Sequence, residues 1–141
     1  MINVNEYDWK EVLNQTRGKK WGISNIEIGD EMDEISGYIA DGDIEGKYSA
    51  ILVFEEEFVN IAKYAYTDEQ SRPVMVSVAV TENGTELIFI DFGIPFNPIG
   101  HAKDKLDMDK VGGHGIEIIM GYSKEVEYKR EMGANMLRIL V

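Results

Sequence analysis

The chain has no cysteine, so it can form neither a disulfide framework nor a thiolate metal site, and the absence fits a reducing compartment. Its only histidines are His101 and His114, too few to support a zinc site. No stretch approaches the roughly 18 consecutive apolar residues of a membrane helix. The first residues, MINVNEYDWKEV, lack the basic start and apolar run of a signal peptide. A soluble, cytoplasmic protein with no membrane partner is the expectation. The three prolines mark no linker. Basic residues are scarce as well: 14 Lys and Arg stand against 26 Asp and Glu, a formal charge of -12. Such a surface repels a phosphate polymer, which disfavours nucleic acid, and suits a basic protein partner. The one basic cluster, Arg17, Lys19 and Lys20 beside Trp21, reads as a solvated turn around Gly18.

What is present fits a single domain: 141 residues, 44% of them hydrophobic. Residues 1–24 read as an N-terminal extension packed on the domain, with a short helix around Asp8–Gln15 and Gly18 as a breaker. Residues 25–141 read as the domain itself. Asn25–Ile28 is the expected first strand and Asp30–Ala40 the first helix. From Tyr48 to Tyr66, Ile51, Phe54, Phe58, Ile61, Ala62 and Ala65 recur at the spacing of one buried helix face. Val74, Val76, Val78 and Val80 then alternate with Met75, Ser77, Ala79 and Thr81 as a half-buried strand does. Asn83-Gly84 signals a hairpin, with Glu86–Phe92 returning. Residues 95–111 show no period and read as a loop. Gly115–Gly121 reads as a short helix, and Glu125–Arg130 with Asn135–Val141 as a hairpin around Met132-Gly133. This order predicts an α+β two-layer sandwich, helices on one face of a mostly antiparallel, mixed sheet.

Three segments carry chemistry. On the long helix, at about 100° per residue, Asn60 lies about 40° around from Glu56 and Lys63 about 20° to the other side. They form one polar stripe, opposite a core face taken as Ile51, Phe54, Phe58 and Ala62. An amide oxygen at Asn60 suits Mg²⁺, which prefers oxygen donors. Lys63 can meet a phosphate as a point charge, and Glu56 can take a proton from an attacking hydroxyl. Asp91-Phe92-Gly93-Ile94-Pro95-Phe96 stands at a strand end, where a carboxylate can accept from an exocyclic amine and Gly93 permits close backbone approach. Gly112-Gly113-His114-Gly115-Ile116 leads into a helix, and such a start offers backbone N–H groups to phosphate. No Lys-Ser/Thr follows it, so it is no Walker A loop, and the dinucleotide spacing is missing as well.

Taken alone, each segment has an ordinary explanation: a solvated helix face, a strand exit, a flexible connector. In order, they resemble the N, G1 and G2 boxes of the GHKL (Bergerat-fold) ATPase and kinase superfamily. The D-x-G-x-P-F wording and short G1-to-G2 separation are most similar to bacterial anti-sigma-factor serine kinases. The resemblance spans roughly Ile26–Val141. It implies ATP and Mg²⁺ as cofactors, with Glu56 as catalytic base and Asn60 as the Mg²⁺ ligand. It further implies that Asp91 reads the adenine amine, and that Gly93, Gly112, Gly113, His114, Gly115 and Ile116 shape the pocket with Lys63. Residues 96–111 become an ATP lid. The implied activity is transfer of the γ-phosphoryl group to a serine of an anti-anti-sigma (STAS) partner, with a sigma factor regulated by binding and a homodimer as the assembly. The alternative is a nucleotide-dependent binding switch without transfer. Two positions depart from the anti-sigma pattern: Asn60-x-x-Lys63 is worded as in histidine kinases, and Asn97 stands where an aspartate is common.

Overall fold

A computed structural model describes residues 18–67, 71–99 and 114–141. The short helix expected at Asp8–Gln15, Gly112, Gly113 and most of the expected lid lie outside those residues. Within them the elements run β1 (Lys19–Ile23), α1 (Asp30–Asp41), α2 (Lys47–Asn60), a π-helical turn (Ile61–Ala65), β2 (Val74–Thr81), β3 (Gly84–Asp91), α3 (His114–Tyr122), β4 (Glu125–Glu131) and β5 (Ala134–Leu140). The strands form one five-stranded sheet in the order β1-β2-β3-β5-β4. Every neighbouring pair is antiparallel. Among the described residues, the parallel component expected of a mixed sheet is the bridge between Asn25 and Arg72.

The first strand differs from the sequence reading. Asn25–Ile28 forms no strand, and the edge strand is Lys19–Ile23, inside the segment set apart as an extension. Lys19 and Lys20 are therefore sheet residues, not a solvated turn. Lys19 Nζ stands 5.2 Å from the Trp21 ring centre and 5.1 Å from that of Tyr38, and those two rings meet edge to face. The aromatic partners gave this strand its anchor, a cation over two ring faces.

The alternation in β2 and β3 divides the sheet into two faces. Val74, Val76, Val78, Leu87 and Phe89 join Leu137 and Ile139 under the helices, together with Ile35 and Ile39 of α1 and Ile119 of α3. Ile88, Ile90 and Ala134 make a smaller cluster on the other face with Met75 and Met136. The sheet is thus a half-buried surface with period two, as its sequence implied. The hairpin β4–β5 closes through Met132 and Gly133, both at positive φ (52° and 87°), the twist a two-residue hairpin turn favours.

The helix α2 is the middle of the helical layer, touching α1, α3 and β3. Its ring cluster ties the layers together: Phe54 lies 5.5 Å from Phe58 and stacks on Phe89 of β3 at 5.9 Å. Phe54→Ala is expected to cost about 3–5 kcal/mol by loss of burial plus a cavity. The readout is a lower urea midpoint at unchanged slope. Tyr48→Ala on the same helix, at a residue 75% exposed, is the control and should change stability by no more than about 0.5 kcal/mol.

Candidate functional site

Helix α2 passes directly into the π-turn, so Glu56, Asn60 and Lys63 occupy consecutive turns of one backbone. Short π segments concentrate at functional sites because they re-aim side chains without ending the helix. All three side chains line one cavity of about 220 Å³, with Tyr64, Gly115 and Ile118. Gly115 belongs to α3 and is pressed against α2. A Cβ built there would stand 2.7 Å from Glu56 Oε2 and 3.5 Å from Asn60 Oδ1, so a side chain would push into the space between these groups and the helix start. His114 begins α3, but nothing of its side chain is described; Ile116 is half-buried, and Ile118 is the isoleucine of α3 that lines the cavity.

The amide oxygen of Asn60, beside a helix start, fits Mg²⁺ carried by phosphates. Among the described residues no group of three or more His, Asp or Glu could hold a metal unaided. Asn60 would therefore hold the ion together with nucleotide oxygens, and its service would be to neutralise charge on the phosphates.

Asn60 also lines a second cavity, with Glu57, Tyr64, Asp91, Phe96, Tyr128 and Asn135. Asp91 ends β3 and is buried, 6% exposed. Its Oδ1 accepts from Gly93 N–H (2.9 Å) and from Asn135 Nδ2 (2.9 Å). Asn135 sits directly across the ladder in β5, donates also to Ile94 O at 2.8 Å, and accepts from the Tyr128 hydroxyl. Burial pushes the Asp91 pKa up, and Asn135, the Gly93 N–H and the Arg130 charge oppose that shift. Arg130 itself donates to Gly93 O at 2.7 Å. Both described hydrogen bonds to Asp91 fall on one oxygen, which leaves the other to meet a ligand amine.

The turn after Asp91 is seated on the end of the π-turn. Ile94 N–H donates to Ala65 O at 2.9 Å, and a Cβ on Gly93 would lie 2.2 Å from that same carbonyl oxygen. Glycine is needed here for space. Tyr66 completes the seam: its hydroxyl accepts from Phe92 N–H and donates to Pro73 O.

Glu57, Asn135, Tyr128 and Arg130 were not anticipated as site residues. For Glu57 the signal was present. With Phe54 at zero and about 100° per residue, Glu57 falls at about -60°, between Ala50 at about -40° and Val53 at about -100°. Ala50, Val53, Phe54 and Phe58 are all fully buried, so the helix buries a face turned toward Glu57, not the one centred on Ile51 and Ala62, which are half-buried. Asn135, Tyr128 and Arg130 lie in the last hairpin, and only the sheet register brings them to Asp91.

A buried carboxyl at a strand end on one side of Asn60, and an open cavity beside a helix start on the other, is the arrangement around which GHKL ATP-binding domains are built. Residues 43–141 match the histidine kinase-like ATPase domain. The chain belongs to that family and is an ATP-binding domain of the GHKL superfamily. Among solved structures it is similar to the histidine kinase domain from Erythrobacter litoralis EL346 blue-light activated histidine kinase, at 18% identity and a TM-score of 0.50. That likeness of fold covers 77% of this chain and 57% of the other, so the chain spans less than two thirds of that structure's length. No curated protein matches the chain.

Glu57 is 5% exposed, and burial, reinforced by the Asp91 charge and only partly opposed by Asn60, pushes its pKa from 4.5 up to about 8. The folded chain keeps this proton up to about pH 8, whereas the unfolded chain releases it near 4.5. Between those values the native state binds the extra proton, so the Glu57 contribution to stability falls as pH rises, with a limiting slope of about 1.4 kcal/mol per pH unit. Glu57→Gln should remove that slope. Denaturant midpoints from pH 5 to 9 should show the variant gaining on the wild type as pH increases; parallel profiles would contradict the assignment.

Proposed function

We propose that this domain is a protein serine kinase of the anti-sigma-factor type, which phosphorylates a small STAS partner and otherwise holds a sigma factor by binding. The observation that carries the reading is Glu56 lining the same 220 Å³ cavity as Asn60 and Lys63, against the start of α3. A base belongs there if a hydroxyl is to attack the γ-phosphorus. The box wording of Asp91–Phe96 supports the subfamily.

ATP would lie along α2, base toward Asp91 and phosphates toward Gly115. Lys63 would pair with phosphate oxygens, and Asn60 would hold Mg²⁺ on them. Glu56 would take the proton as the serine oxygen bonds to the γ-phosphorus and the bond to the β–γ bridging oxygen breaks. ADP leaves with that electron pair. Positioning and charge neutralisation supply most of the rate in such transfers.

A switch without transfer gains support from the base-end cavity. At about 30 Å³ it is far smaller than the roughly 150 Å³ that admits a benzene ring. Seating a base must displace side chains such as Tyr64, Ile94 or Phe96, and movement of that kind is what a switch transmits.

Glu56→Gln separates the two readings. For a kinase, single-turnover transfer from labelled ATP to a STAS protein that accepts phosphate from the wild type should fall at least about 100-fold, the usual worth of a general base, with nucleotide affinity retained. Absence of transfer by the wild type would remove the kinase reading, and regulation of a partner undiminished in the variant would establish the switch.

A further inference from the structure

The phosphoryl-transfer reading leaves one buried polar group unused. Glu57 Oε2 has no hydrogen-bond partner although the residue is only 5% exposed, and Asn60 Nδ2, equally enclosed, has none either. Both residues line the small cavity that Asp91 closes from the sheet side. The fold gains nothing from a carboxyl here. The position lies among Ala50, Val53, Phe54 and Ile61, where an apolar side chain would pack at no desolvation cost. An unsatisfied carboxyl aimed into a cavity and set beside a second one is a cost to folding, of the kind that functional sites carry.

The two carboxyls are also differently equipped. Asp91 is steadied by Gly93, Asn135 and Arg130, so it is a fixed acceptor for an exocyclic amine. Glu57 is on the opposite wall, on α2, with an oxygen uncommitted. In adenine the amine is adjacent to a ring nitrogen that only accepts. Two groups on facing walls can read that pair of neighbouring positions, one with the amine and one with the ring nitrogen.

We infer that Glu57 is a specificity-determining residue of the nucleotide pocket, which holds the ring nitrogen next to the exocyclic amine of the base, directly or through one bridging water. The inference rests on the nucleotide reading of the site and adds a second point of base recognition to Asp91. A water that bridges a protein polar group and a ligand makes nearly as good a bond as direct contact. Loss of such a bond leaves buried groups unpaired, and discrimination built on it is correspondingly steep.

The test is calorimetric affinity for ATP, for 1-deaza-ATP (carbon in place of that ring nitrogen) and for purine riboside triphosphate (no amine). The proteins are the wild type, Glu57→Met and Glu57→Gln. Wild type should bind 1-deaza-ATP at least about tenfold more weakly than ATP. Glu57→Met should bind both alike while still rejecting the analogue without the amine, and Glu57→Gln, which keeps a hydrogen-bonding head, should restore the preference. A merely structural Glu57 would alter all three affinities together and leave their ratios unchanged. Equal affinity of the wild type for ATP and 1-deaza-ATP overturns the inference whatever the variants do, and leaves ATP binding itself intact. Failure of the wild type to bind any of the three overturns the nucleotide reading as well.

Discussion

The site depends on one seam, where the exit of β3 is laid against the end of the helix that follows α2. Ala65 O accepts from Ile94 N–H, and Gly93 lies so close to that carbonyl that a Cβ has no room. This contact sets the distance between Asp91 on the sheet and Asn60 on the helix. Tyr66 holds the same joint by bonding to Phe92, which follows β3, and to Pro73, which precedes β2. With the seam fixed, the remaining geometry is a matter of helix period: one turn back from Asn60 brings Glu56 to Gly115, and Lys63 extends the row through the π-turn. The sheet then supplies what the helix lacks, since Asn135 in β5 orients Asp91 from the adjacent strand.

Electrostatics in this joint run against stability. Two carboxyls, Glu57 and Asp91, are buried on opposite walls of one small cavity. Desolvation disfavours the charge on each, and the Asp91 charge further disfavours that on Glu57. Asp91 is compensated by three neighbours; Glu57 is opposed only in part, by Asn60, and keeps its proton to about pH 8. The tight core around Phe54, Phe58 and Phe89 is what allows such a cost to be carried in a domain of this size.

Much of this was legible in the residues themselves. The alternating valines of β2 and the i, i+3, i+4, i+7 run of α2 each specify a local period, and the Asn-Gly pair a turn, so the α+β sandwich followed from local signals. The nucleotide boxes were legible for a similar reason: Glu56, Asn60 and Lys63 are near neighbours in sequence. Three things were not. The edge strand Lys19–Ile23 is too short for its two core-facing residues, Trp21 and Ile23, to mark a period, and it is held by pairing to β2 and by the Tyr38 ring of α1. Asn135, Tyr128 and Arg130 lie far along the chain from Asp91, and only strand register places them there. Glu57 was hidden by its neighbours, since a run of three glutamates, Glu55 to Glu57, looks like a solvated face unless the helix phase is counted from Phe54.

The central claim is a direction: a nucleotide lies along α2 with its base at Asp91 and its phosphates at Glu56, Lys63 and Gly115. A crystal structure of the chain with Mg²⁺ and a non-hydrolysable ATP analogue tests it most directly. The account predicts the exocyclic amine on the free oxygen of Asp91, Mg²⁺ on Asn60 Oδ1, and the terminal phosphate within reach of Glu56. A nucleotide in the reverse orientation, or bound away from α2, would contradict it.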